Sequence, residues 1–119
     1  MRHNVQRHNE MLGKTEPLTE AVLLILLSLA EQPRHGYSIL RDVEEMSGGR
    51  VVLSTGTLYG ALRRLLGDRW IERFEEEESS RDRHAYRLTP GGRKLLHAEV
   101  ARMKGLTRLA AVRMSLKEA

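Results

Sequence analysis

The stretch Ser54-Thr55-Gly56-Thr57-Leu58-Tyr59-Gly60-Ala61-Leu62-Arg63-Arg64-Leu65-Leu66-Gly67 decides how this chain reads. At about 100° per residue, Leu58, Leu62, Leu65 and Leu66 fall on one side of a helix. The opposite side carries Gly56, Gly60, Arg63, Arg64 and Gly67, with Thr57 and Tyr59 on its flanks. Ser54 or Thr55 supplies the N-cap oxygen. An apolar stripe backs a face of small, hydroxylic and basic residues, so one side packs and the other is free to meet something anionic.

Upstream, His35-Gly36-Tyr37 reads as a turn opening a helix over Tyr37 to Met46. Its inward positions are expected to be Tyr37, Leu40 and Val43, with Ile39 beside them. Arg41, Asp42 and Glu45 face water, and Ser47-Gly48-Gly49 ends it. Before it, Leu18 to Ala30 forms a helix capped by Thr19 and closed by Gln32-Pro33. Leu23 to Leu27 with Leu29 leave that helix no polar face, so it must be covered all round. A chain with so few aromatics does not cover it easily, and a second copy is the simplest cover. Three short helices with a tight turn before the third make a helix-turn-helix.

Downstream, Trp70-Ile71-Glu72-Arg73-Phe74 and His84-Ala85-Tyr86-Arg87-Leu88 each alternate as strands do. The polar segment Ser79-Ser80-Arg81-Asp82-Arg83 joins them into a β-hairpin, or wing. Glu75 to Glu78 would repel phosphate, and Arg73 and Arg87 are expected to pair with these acids. Thr89 then caps a helix that opens on Pro90 and runs to about Leu116, roughly 40 Å long. It bears two apolar stripes: Leu96, Val100, Met103, Leu106 and Ala110, and Leu95, Ala98, Leu109, Val112 and Leu116. Two stripes call for two partners, the chain's own domain and another subunit. Gly105 in the middle marks a bend or a close helix crossing. The expected organisation is a polar N-terminal arm over 1–16, a winged helix-turn-helix over 17–89 and a C-terminal dimerisation helix over 90–119. The fold class is mainly α with a small β-hairpin (α+β).

Composition agrees with a single globular domain: 119 residues, 40% hydrophobic and 30% charged. No cysteine is present, which excludes a disulfide scaffold, a thiolate metal site and a cysteine nucleophile. No apolar run is long enough to span a bilayer and no signal peptide is seen, so a soluble cytoplasmic protein is expected. The net charge of +4 is uneven. Residues 50–70 carry +3 and residues 90–119 carry +5, while 1–49 and 71–89 each carry −2.

The order of His35-Gly36-Tyr37, Gly56-Thr57-Leu58-Tyr59, Leu62, Leu65, Ile71, Arg83, Tyr86-Arg87-Leu88-Thr89, Gly92 and Leu95-Leu96 resembles the PadR family of transcriptional regulators. The likeness is to its short subfamily, which has a single C-terminal helix. It implies a winged helix-turn-helix, a homodimer built through C-terminal helices, and binding to a pseudo-palindromic DNA operator, usually as a repressor. Two departures stand out. Gly60 replaces the usual Pro after Thr-Leu-Tyr, and Arg69-Trp70-Ile71 replaces the usual Gly-Leu-Ile before the wing.

A helix in the major groove needs side chains that reach base edges and a backbone that comes close. The candidate DNA-binding residues are Ser54, Thr55, Gly56, Thr57, Tyr59, Gly60, Arg63 and Arg64, with Arg81, Arg83 and His84 from the wing. Candidate dimer residues are Leu23, Leu27, Leu96, Val100, Met103, Leu106, Leu109, Ala110, Val112 and Leu116. No cofactor, metal site or catalytic residue is expected: His3 and His8 lack a third ligand, and His35 lacks a nucleophile partner. Some members of the family that the chain resembles bind flat aromatic effectors between subunits, but Trp70, Phe74, Met103 and Met114 name no ligand here. Two other classes compete: a winged-helix module that binds a protein, and a peripheral membrane protein using the basic last helix.

Overall fold

The computed structural model describes residues 17–74 and 84–118. The element order is α1 (Glu20–Glu31), β1 (Arg34–His35), α2 (Gly36–Met46), α3 (Thr55–Gly67), β2 (Ile71–Phe74), β3 (Ala85–Leu88) and α4 (Pro90–Glu118). The chain divides into a body over Leu18–Lys94 and a second unit that holds α4 from Leu95 onward.

The caps that the sequence suggests are present. The Thr19 hydroxyl accepts the Val22 N–H at 3.2 Å, and the Ser54 hydroxyl accepts the Thr57 N–H at 3.1 Å. In α1, Ile25, Leu26, Ser28 and Leu29 are buried, while Leu23, Leu24 and Leu27 stay half-buried. Arg34 stands where α1 has ended. Its Nε donates to the Ser28 carbonyl at 3.1 Å, and its Nη2 lies 2.6 Å from Glu31 and 3.5 Å from Asp42. One guanidinium thus satisfies an orphan carbonyl of α1 and ties that end to α2.

The inward face of α2 differs from the sequence expectation. Gly36, Ile39 and Val43 are buried, Leu40 is half-buried, and Tyr37 is 66% exposed. The stripe begins one residue earlier, at Gly36, whose missing side chain gives no apolar signal.

The wing strands fall where alternation places them, and a third strand joins them. The sheet order is β1-β3-β2, antiparallel throughout. Arg34 faces Tyr86 and His35 faces Ala85, so the His35-Gly36 turn is also a strand end. Two residues after a proline are too short a run to show alternation. Across the other edge Ile71 faces Leu88, Glu72 faces Arg87, and Arg73 faces Tyr86. Arg87 pairs with Glu72 at 2.8 Å. Glu75 to Glu78 lie outside the described residues, as do Arg81, Arg83, residues 1–16 and the side chain of Leu116.

Two helices end in the same way. At the end of α2, Gly49 N–H bonds to the Glu44 carbonyl and Gly48 N–H to that of Glu45, with Gly48 at φ +65°. At the end of α3, Trp70 N–H bonds to the Leu65 carbonyl and Arg69 N–H to that of Leu66, with Arg69 at φ +65°. Both are Schellman motifs, which need a left-handed residue at this point. Glycine supplies it in the first, and arginine is forced into it in the second.

The start of α4 is sewn to the entry of β2. The Thr89 hydroxyl donates to the Arg69 carbonyl at 2.8 Å and accepts the Gly92 N–H at 2.9 Å. Thr89 N–H donates to the Trp70 carbonyl at 3.1 Å. A Cβ at Gly92 would run into that same Trp70 carbonyl, which is why this turn of helix carries no side chain there.

The body is closed by Ile25, Leu26, Leu29, Ile39, Val43, Leu58, Leu62 and Ile71, all at or below 2% exposure. Burial of each such side chain contributes about 1.5–3 kcal/mol. In the second unit, Glu99 is buried and held by Arg102 at 2.7 and 3.0 Å. From Met103 onward α4 exposes apolar side chains: Met103 at 39%, Leu106 and Leu109 at 51%, and Val112 at 55%.

Candidate nucleic-acid interface

The third helix buries Leu58, Ala61, Leu62 and Leu65, and this sets what its other side presents. Ser54, Thr55, Gly56, Thr57, Arg63 and Arg64 are exposed, and Gly60 is half-buried. All eight candidates on this helix therefore lie in one element, held by a capped N-terminus and a packed back.

The glycines need explaining. Each glycine inside a helix costs about 1 kcal/mol against alanine. A Cβ at Gly56, Gly60 or Gly67 would meet nothing within 4 Å. Packing inside the body therefore requires none of them. Small residues on an exposed helix face let another molecule approach the backbone closely.

Among the described residues, Arg63 and Arg64 have no carboxylate partner, and α3 contains no acid. Arg50 counts toward the basic stretch in sequence but is spent differently. It makes a bidentate ion pair with Glu20, which ties the loop before α3 to the start of α1. Hydrogen bonding from Arg50 holds the Glu20 carboxyl below its ordinary value.

Tyr59 is 39% exposed, and its ring lies along the start of α2. A Cβ on Gly36 would strike the Tyr59 hydroxyl and ring. Gly36 is thus the residue that lets α2 and α3 close on each other. The buried Tyr86 sits beside this pair. Burial raises its phenol pKa, the neighbouring Tyr59 adds to the rise, and the neighbouring Arg73 offsets part of it.

His84 lies at the root of β3, half-buried, rather than out on the wing. Its Nδ1, His35 Nε2 and Ser28 Oγ are buried atoms without a hydrogen-bond partner. Two outward residues are missed by the sequence reading. Tyr37 stands exposed with Arg41 stacked 5.8 Å from its ring centre. Arg73 is exposed on β2. The only sequence signal for Tyr37 is its spacing of four from the outward Arg41. No group of three or more His, Cys, Asp or Glu among the described residues could hold a metal ion, and no described helix is long and apolar enough to cross a membrane.

Of the candidate dimer residues, Met103, Leu106, Leu109, Ala110 and Val112 are exposed in the single chain. Leu23, Leu27 and Val100 are half-buried, and Leu96 is buried.

Comparison with known proteins agrees with this geometry. Residues 25–98 match the model of the transcriptional regulator PadR-like family. An uncharacterized 37.1 kDa protein in transposon TN4556 of Streptomyces fradiae is 41% identical over 88 residues. That match covers 74% of this chain but only 24% of the relative, so this chain spans about a quarter of that protein's length. Among solved structures, a transcriptional regulator from Clostridium thermocellum is similar with a TM-score of 0.66 and 26% identity, over 76% of this chain and 86% of that one. A PadR family transcription regulator from Clostridium difficile R20291 shares the fold with a TM-score of 0.66 at 22% identity, over 81% of this chain and 99% of that one. With its helix-turn-helix, its three-stranded wing and the family match over most of the body, the chain belongs to the PadR-like family of transcriptional regulators.

Proposed function

We propose that this chain is a cytoplasmic, sequence-specific DNA-binding regulator that acts as a homodimer on a pseudo-palindromic operator, as a repressor. The observation that carries the reading is the outward face of α3. Three glycines whose added Cβ would meet nothing within 4 Å stand beside two arginines with no carboxylate partner among the described residues. That combination suits close approach to a polyanion. In this reading α3 enters the major groove, with Thr57, Arg63 and Arg64 toward bases and phosphates. The free N–H groups of the first turn favour a phosphate. The wing touches the flanking backbone or minor groove through Arg81 and Arg83. The exposed apolar side chains of α4 from Met103 to Val112 support a second copy as partner. Two-fold symmetry then spaces the half-sites by about 34 Å, one turn of DNA.

Selection of bound sequences from a random DNA pool at physiological salt tests the whole reading. An inverted repeat with half-site centres one helical turn apart supports it. A folded dimer that enriches no sequence overturns it and favours a protein partner. The double variant Arg63→Ala/Arg64→Ala is expected to bind the enriched site more weakly, with a shallower salt dependence and an intact dimer. Unchanged affinity would remove α3 from the interface.

A further inference from the structure

Strand β2 is an edge of the sheet, since the order is β1-β3-β2. Thr89 N–H donates to the Trp70 carbonyl at 3.1 Å, and Ile71 stands opposite Leu88. Trp70 and Thr89 are therefore a bonded pair of the ladder. Bonded and non-bonded pairs alternate between antiparallel strands. Glu72 thus turns its N–H and C=O toward β3, while Ile71 and Arg73 turn theirs to the outer edge. Among the described residues no backbone group takes them up. A cleft of about 480 Å³ runs beside this edge, lined by Leu66, Arg69, Ile71, Glu72, Arg73 and Thr89. Ile71 and Arg73 lie on one face of β2 and Glu72 on the other, so the cleft follows the edge rather than a face. Half-buried Leu66 and buried Ile71 give it an apolar floor. Its charge is one-sided. Glu72, the one acid in the lining, is paired with Arg87 at 2.8 Å. Arg69 and Arg73 are exposed and have no carboxylate partner among the described residues.

We propose that the outer edge of β2 and its cleft dock an extended acidic peptide segment of a partner protein, which adds a strand to the sheet. Unpaired N–H and C=O groups side by side fit a ligand that offers both kinds of group along one line, as a peptide backbone does. A phosphate backbone brings acceptors alone and leaves the Ile71 and Arg73 carbonyls without a donor. Arg69, Ile71 and Arg73 recur at every second position, the period of side chains along a strand. The complementary segment therefore carries an apolar residue opposite Ile71 and a carboxylate two positions to either side, each meeting a guanidinium. A second copy's β2 does not fit, because it would bring the same uncompensated cations to the same edge.

The test titrates the isotope-labelled full chain with the capped pentapeptide Glu-Thr-Val-Thr-Glu and follows the backbone amides by NMR. In either strand direction its valine meets Ile71 and its acids meet Arg69 and Arg73. The peptide Lys-Thr-Val-Thr-Lys is the control. Saturable shifts are expected at Ile71 and Arg73, with hydrogen exchange of these two amides slowed by the acidic peptide. The double variant Arg69→Gly/Arg73→Ala, its fold checked by circular dichroism, should bind that peptide roughly two- to twentyfold more weakly, since an exposed ion pair is worth up to about fivefold. The lysine peptide should bind the unmodified chain more weakly still and gain from the same double variant. Shifts without slowed exchange at Ile71 and Arg73 overturn the added strand. Equal binding of the two peptides overturns the selection of acids. No saturable shift with the acidic peptide overturns the docking site and leaves Arg73 as a charge that guards the edge from pairing. Unchanged peptide binding by the double variant, with a flatter salt dependence on a scrambled duplex, assigns the cleft to nucleic acid and overturns the proposal.

Discussion

Gly60→Ala separates folding from function most sharply. Gly60 lies in the interior of α3, where alanine is better than glycine by about 0.5–1 kcal/mol. The added methyl would meet nothing within 4 Å, so no clash inside the body offsets that gain. For a chain of 119 residues this should raise the melting midpoint by about 2–5 °C. Melting must be followed at one fixed protein concentration, since association also shifts the midpoint. The same methyl projects where α3 would meet the groove. Overpacking a close contact typically costs about 1–3 kcal/mol, which corresponds to roughly a 5- to 150-fold loss of DNA affinity. Thermal melts and fluorescence anisotropy on the enriched site read the two effects separately. A variant that melts lower would mean that the space around Gly60 is not open. A variant that melts higher and binds as before would mean that the glycine does not serve close approach, and the outward face of α3 would lose its explanation.

The opposite sign is expected at Gly92. Gly92→Ala drives a Cβ into the Trp70 backbone carbonyl and disturbs the Thr89 cap, so despite better helix propensity it should lower stability by about 1–3 kcal/mol, read by chemical denaturation. The two Schellman ends make a matched pair: Gly48→Ala should destabilise by about 1 kcal/mol, whereas Arg69→Gly should be neutral or stabilising by up to about 1 kcal/mol, both read from the same denaturation curves. Leu106→Glu with Leu109→Glu, both half-exposed on α4, should shift the proposed dimer to monomer in sedimentation while leaving the fold of Leu18–Lys94 unchanged by circular dichroism. Tyr86 should be the last tyrosine to ionise in an absorbance titration. Its phenol is raised in the folded state by burial, so its contribution is complete below the ordinary tyrosine value and declines as pH rises above it. Tyr86→Phe should remove that alkaline loss of stability.

Much of the fold is legible in the order of the residues, where local chemistry decides the outcome. The Ser54 cap, the Leu58-Leu62-Leu65 stripe, the Thr89-Pro90 restart and the two wing strands all rest on neighbours a few positions apart. What the sequence hides depends on contacts between distant segments. Strand β1 is recognisable only through its pairing with Tyr86 and Ala85. Tyr37 reads as inward because Gly36, which holds the buried position, carries no apolar side chain to announce it. Arg50 counts toward the basic stretch 50–70, but its partner Glu20 lies thirty residues earlier. Arg73 reads as a match for the acids that follow it, which lie outside the described residues, and nothing in the sequence announces that its register partner is Tyr86.

The sheet order β1-β3-β2 has a consequence for how the chain matures on the ribosome. The strand that fills the middle is the last to be synthesised, and residues 34 and 35 wait about fifty residues for the partners that bond them. Until Ala85 to Leu88 emerges, the three helices have neither the strand that joins both edges nor the tyrosine beside Tyr59. A nascent chain stopped short of the wing therefore presents α3 without its scaffold. Completion of the hairpin is the event that gives the strand of residues 34 and 35 its partner and closes the sheet.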